Sequence, residues 1–231
     1  MLPFARIEVG SPSERRCRLC RPRQAQVTWR SVADVASELR EVASDWTAPV
    51  GPNVFLGGAE PFEHPALPSI VAAAVDAGFE RVGIETDAAA LARGENARGS
   101  LFAGVRHLRA VLFGVGDLGD AMAGPPGFSA AALSGIERYA EAARREGAIV
   151  AISAVVPVCR HNVGLLPMVV AAAAAAGAGC VVLDAAEPVA PTAAATIAAA
   201  CDTGIVNRAW VEVHGLPLPA SHEAHRAGEA M

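Results

Sequence analysis

The chain contains no lysine, for all 19 of its basic residues are arginine. That absence excludes a P-loop lysine and a Schiff-base lysine, and with the latter pyridoxal phosphate and class I aldolase chemistry. Long apolar runs are missing too, because the Ala-rich run 171–176 is broken by Gly177 and Gly179, well short of a membrane span. The N-terminal stretch lacks the charged-then-apolar layout of a secretory signal. No basic face runs along any helical stretch and the net charge is −5, which argues against a nucleic-acid partner. The five cysteines fall at irregular spacing, unlike a disulfide framework, and point to thiols or metal. Together these absences describe a cytoplasmic chain with no membrane partner.

What is present is material for one large α/β domain: 231 residues, 52% of them apolar. Short β-type runs at 5–10, 53–57, 81–86, 108–113, 148–155, 179–184 and 209–213 alternate with helical patterns. The helices are expected near 31–45, 66–78, 128–147, 163–177 and 190–203, with a weaker one near 87–98. Ser31 and Ser129 are placed to cap helix starts. Gly78, Gly147, Gly177 and Gly204 stand where helices should end. Strand–helix alternation of this kind predicts βαβ units on a parallel sheet, curled into a partial (β/α)6 barrel. The core is expected over 1–215, with a polar tail at 216–231 carrying His222 and His225. In such a barrel the chemistry sits where the strands end.

Three residues after the first strand define the candidate metal site. Ser13, Cys17 and Cys20 keep the spacing Cys-x3-Cys-x2-Cys, at which three thiolates hold three irons of a 4Fe-4S cluster and leave the fourth open. A serine occupies the first of the three positions. Cys159, at the end of the fifth strand, is a candidate substitute ligand or a packing thiol. The second strand ends Gly57-Gly58-Ala59-Glu60-Pro61, where glycines let backbone approach a ligand and Glu60 can grip an ammonium group. Glu85-Thr86-Asp87 ends the third strand, and Gly124 to Phe128 leads into a helix. Arg15, Arg16, Arg18, Arg21 and Arg23 make a local basic cluster, either an anion site or a solvated loop.

In their order and placement these pieces resemble the core of the radical S-adenosylmethionine (radical SAM) superfamily, over about residues 5–185. The family's cysteine loop follows its first strand. Its Gly-Gly-Glu-Pro motif, which holds the methionine amino group, follows the second; here it is matched by Gly58-Ala59-Glu60-Pro61, or by Gly57-Gly58 with Ala59 inserted. Thr86 and Asp87 fall on the Glu-Thr-Asn end of the third strand, with Asp87 for asparagine. The resemblance implies a 4Fe-4S cluster at Cys17 and Cys20, completed by Ser13 or Cys159, and S-adenosylmethionine held by residues 57–61, 86 and 87. An alkoxide is a harder and less acidic ligand than a thiolate, so a serine-held cluster should be labile. The fourth strand is expected to lack polar side chains near the sugar.

Three functions fit these residues. One is a radical SAM-like enzyme that modifies an unknown substrate, with a partner protein or a peptide as the candidates. Another is a degenerate, non-catalytic homologue that keeps the barrel as a binding or partner subunit. The third is a zinc- or thiol-using protein on the same barrel.

Overall fold

The computed structural model describes residues 4–11, 27–93 and 95–226. Seven strands form one sheet in chain order: β1 (Ala5–Gly10), β2 (Asn53–Gly58), β3 (Arg81–Thr86), β4 (Val105–Val111), β5 (Ala151–Val158), β6 (Cys180–Ala185) and β7 (Trp210–His214). Every neighbouring pair is parallel. The crossovers carry helices α1 (Val32–Ser44), α2 (Leu67–Asp76), α3 (Glu95–Ala103), α4 (Gly116–Ala123), α5 (Phe128–Glu146), α6 (Leu166–Ala175) and α7 (Ala194–Val206). Among the described residues β1 and β7 are not paired with each other, so the barrel is partial, as the alternating pattern predicts.

The period of two along each strand divides the molecule into two regions. One face sends Ile7, Val9, Val54, Leu56, Val82, Ile84, Leu108, Ala110, Val181, Leu183, Val211 and Val213 into the core beneath the helices. The alternate residues line the barrel interior, among them Phe55, Gly83, His107, Arg109, Ser153, Val182 and Glu212. Burial of the first set drives folding; the second set is free to carry chemistry.

Local signals place the helices. Ser31 caps α1 by accepting the Asp34 N–H. At the end of α2, Gly78 takes a φ of +96° while the Phe79 N–H reaches back to the Ala74 carbonyl, a closure that favours glycine. Gly147 and Gly177 end α5 and α6 in the same left-handed region.

Several expectations need correction. Ser129 is not a cap: the helix begins from Gly127, and Ser129 donates its hydroxyl to Asp120. Asp120, on α4, accepts the N–H groups of Gly127 and Ser129 and so does the capping from a neighbouring helix. α4 is a further helix, in a stretch where the sequence pattern predicts none. Gly204 lies inside α7 because a side chain there would strike Val211; Arg208 makes the left-handed exit instead, at φ +59°. β4 starts at Val105, three residues before the expected 108, directly after Gly104 with φ +111°. α3 begins at Glu95 rather than 87, behind a short 3-10 turn at Ala89–Ala92. Residues 216–226, read as polar tail, hold buried Leu216 and Leu218. There His225 donates from Nδ1 to the Val211 carbonyl over 2.8 Å and stacks on Trp210, while Arg226 bridges to Val213. This segment covers part of an otherwise open edge strand.

Candidate cofactor site and barrel lumen

The strand ends at the C-terminal mouth are tied together around Glu60. Its carboxylate is buried, 7% exposed. Oε1 accepts the Thr86 hydroxyl at 2.6 Å and the Phe62 N–H at 3.2 Å. Oε2 accepts the Asp87 N–H at 3.0 Å. Thr86 accepts the Ala88 N–H, and the Asp87 carboxylate accepts that of Ala89. The structure brings Glu60, Thr86 and Asp87 together and gives Glu60 a structural duty: it joins the loop after β2 to the loop after β3. Pro61 is buried at the start of the short 3-10 turn that Glu60 caps.

The glycines of the same motif have equally concrete reasons. Gly57 faces the lumen, where the Arg6 guanidinium passes over it; a Cβ would sit 3.4 Å from Arg6 Nη2. Arg6 thereby reaches Glu85 on the far side of β2 at 3.1 Å. Gly58 has φ +98°, and a side chain there would lie 2.7 Å from the Gly10 carbonyl oxygen. Ala59 is buried and its N–H bonds to that same oxygen at 3.2 Å. Close by, His64 accepts the Ala66 N–H on Nδ1 and so carries its hydrogen on Nε2, which points at the Arg30 carbonyl 3.1 Å away. Its ring meets Trp29 edge-on.

Ser13, Cys17, Cys20 and the arginines at 15, 16, 18, 21 and 23 lie outside the described residues. The two ends of their segment are fixed at the barrel mouth. The Ser11 N–H donates to the Thr28 carbonyl, the Thr28 N–H to the Ser11 hydroxyl, and the Arg30 N–H to the Val9 carbonyl. Chain leaving β1 thus returns beside it, next to the Gly58–Ala59 turn. Cys159 follows β5 and is a free, buried thiol. Asn162, also buried, fixes that turn by accepting the Cys159 N–H and donating to the Phe113 and Pro157 carbonyls. Among the described residues no three His, Cys, Asp or Glu side chains are grouped to hold a metal.

The interior holds the residues that sequence reasoning missed. β4 carries two inward polar residues below the mouth, His107 and Arg109, on the alternation Arg-His-Leu-Arg-Ala-Val over 106–111, with apolar Val111 following them toward the mouth. Arg109 lies over the rings of Phe4 and Phe55, 5.6 and 5.8 Å from their centroids. Its Nε is 3.9 Å from Glu85. The Phe55 ring occupies the space above Gly83 and meets His107 edge-on at 4.7 Å. His107 shares a hydrogen bond with Ser153 at 3.0 Å. Burial, then the positive charges of Arg109 and Arg81, pull its pKa down to about 4, so the ring is neutral near pH 7. Cys180 lines the same space, and burial together with Glu212 raises its thiol to about 11; it is neither nucleophile nor ready ligand. Burial raises Cys201 to about 11 as well.

No protein-family model and no curated protein matches the sequence. Solved structures do match. SuiB of Streptococcus suis bound to S-adenosylmethionine superposes with a TM-score of 0.64 at 12% identity, over 91% of this chain and 50% of that one. AnSMEcpe with bound AdoMet gives 0.63 at 12%, over 91% and 64%. The radical S-adenosylmethionine methyltransferase TsrM of Kitasatospora setae, with cobalamin and a [4Fe-4S] cluster bound, gives 0.54 at 14%, over 78% and 36%. The chain spans about half the length of the first of these. No described helix is long and apolar enough to cross a membrane. The likeness is one of fold: seven parallel strands alternating with helices, in the arrangement of radical SAM partial barrels.

Proposed function

We propose that this chain is a radical SAM-like protein that binds S-adenosylmethionine at the C-terminal mouth of its barrel. The observation that carries the reading is the junction of Glu60 with Thr86 and Asp87, beside two glycines, on a fold shared with structures bound to that nucleotide. Glu60 supplies negative charge for the methionine ammonium, at a turn whose glycines let β1 and Arg6 pack closely beside it. Thr86 and Asp87 hold the Glu60 carboxylate in place. Calorimetric titration with S-adenosylmethionine tests this; no heat of binding by folded protein, after anaerobic loading with iron and sulfide, would remove the nucleotide.

The donor set does not fit a three-thiolate cluster. Sequence provides Cys17 and Cys20 with a hydroxyl at Ser13, and Cys159 is buried behind its own turn. No reaction step is therefore assigned to a cluster. This favours a second reading, a homologue that keeps the barrel and the nucleotide site as a binding or partner subunit without radical chemistry. Iron and sulfide analysis after anaerobic reconstitution separates the two: about four irons per chain supports an enzyme, and near-zero iron the subunit.

A further inference from the structure

At the opposite end of the barrel from the mouth, where β2, β3 and β6 begin at Asn53, Arg81 and Cys180, a cavity of about 490 Å³ runs into the lumen. That volume lies in the range of small-molecule sites, about 300–1,000 Å³. Its walls sort into three chemistries. Phe4, Phe55 and Val182 give an apolar surface. Arg109 and Arg81 give positive charge: neither donates a hydrogen bond to a described residue, and Arg109 approaches Glu85 only to 3.9 Å, while Glu85 Oε1 is taken by Arg6. Arg109 lies against Phe4 and Phe55, whose rings meet edge to face, with its side chain 18% exposed, and its guanidinium carries the N–H fork that suits a carboxylate. Glu212 gives negative charge. Its Oε2 is buried with no hydrogen-bond partner, and so is His214 Nε2, which lies 3.6 Å away. That oxygen is turned to His214, while Glu212 as a residue lines the cavity, so its negative charge faces a ligand bound there.

We propose that this cavity binds a small zwitterion, an α-amino acid with an apolar or aromatic side chain: carboxylate toward Arg109 and Arg81, ammonium toward Glu212, side chain against Phe4 and Phe55. A simple anion would leave Glu212 unmet, and a simple amine would meet two arginines, so the pairing of both charges with an apolar wall selects the amino-acid class. His107 is neutral at pH 7 and adds no competing charge; with Ser153 it offers a hydrogen bond at the wall. The site is separate from the mouth, so it stands or falls independently of S-adenosylmethionine binding.

The test is calorimetric titration of the full chain at pH 7 with leucine, phenylalanine, N-acetylphenylalanine and phenylalanine amide. We expect saturable binding of at least one free amino acid. Each blocked analogue should bind about tenfold more weakly or worse, the loss of one charge-assisted contact. Glu212→Gln and Arg109→Gln should each weaken the amino acid by a similar factor, and Arg81→Gln, at an exposed position, by a smaller one. If Arg109→Gln does not fold, Glu212→Gln and Arg81→Gln decide. No binding by either amino acid at millimolar concentration, equal binding of a blocked analogue, or wild-type affinity in both Glu212→Gln and Arg81→Gln overturns the proposal.

Discussion

Glu60→Gln separates a carboxylate that only grips a ligand from one that also holds the mouth together. The Glu60 oxygens receive Thr86 Oγ1 at 2.6 Å, the Phe62 N–H at 3.2 Å and the Asp87 N–H at 3.0 Å. Glutamine keeps one oxygen. Oriented to retain Thr86 and Phe62, it turns its NH2 on the Asp87 N–H; flipped, it saves that bond and strands the Phe62 N–H. Rotation of Thr86 offers little relief, because its hydroxyl oxygen already accepts the Ala88 N–H at 2.9 Å. One buried donor is lost either way, at about 1–3 kcal/mol. For a chain of this size each kcal/mol moves Tm by about 2–4 °C, so a fall of roughly 2–12 °C is expected. Urea unfolding followed by circular dichroism should show a lower midpoint with an unchanged slope. Thr86→Val, which removes the partner hydroxyl, should destabilise comparably, and the double variant by less than the sum. Stability within about 0.5 kcal/mol of wild type for Glu60→Gln would refute the structural role and leave Glu60 a ligand contact alone.

Ser13→Cys completes the thiolate set and should raise the iron and sulfide retained after anaerobic reconstitution, with broad visible absorption, while Cys17→Ala and Cys20→Ala abolish whatever the wild type holds. His107, with its pKa lowered from 6.5 to about 4 chiefly by burial, takes up its proton more readily unfolded than folded; stability should be full above pH 6.5 and fall as pH drops toward 4, by up to about 3 kcal/mol. An imidazole resonance of His107 that titrates near 6.5 would contradict its placement in the lumen. Gly135→Ala should destabilise by about 1–3 kcal/mol in spite of the better helix propensity of alanine, because a Cβ there overlaps the Ala88 carbonyl packed against α5; a gain in Tm would show that α5 can move away.

What was legible in the chain follows from which physical signal was local. Strand positions and the order of the crossovers could be read because the outward-facing residues form apolar runs, some of them, such as Val82 and Ile84 or Val181 and Leu183, following glycines that end the preceding helix. Ser31 capped as expected because an N-cap needs only its own next three residues. Ser129 did not, because the competing acceptor, Asp120, sits on a separate helix and the contact depends on how α4 packs. The same distinction governs the site. Glu60, Thr86 and Asp87 were individually visible as strand-end residues, yet only the parallel pairing of β2 with β3 puts 60 beside 86. The lumen was hidden more thoroughly. Its members, Phe55, His107, Arg109 and Glu212, come from three strands and share no spacing. Their signal was the polar half of an alternating pattern, and starting β4 at 108 instead of 105 cut His107 out of it. A barrel's inner face is therefore best sought by fixing each strand from its outer apolar set first and then reading the residues in between. In this chain those residues are neither core nor ordinary surface: Arg6 pairs with Glu85 across β2, Arg109 stands 3.9 Å from the same carboxylate, and Glu212 and His214 face each other at 3.6 Å.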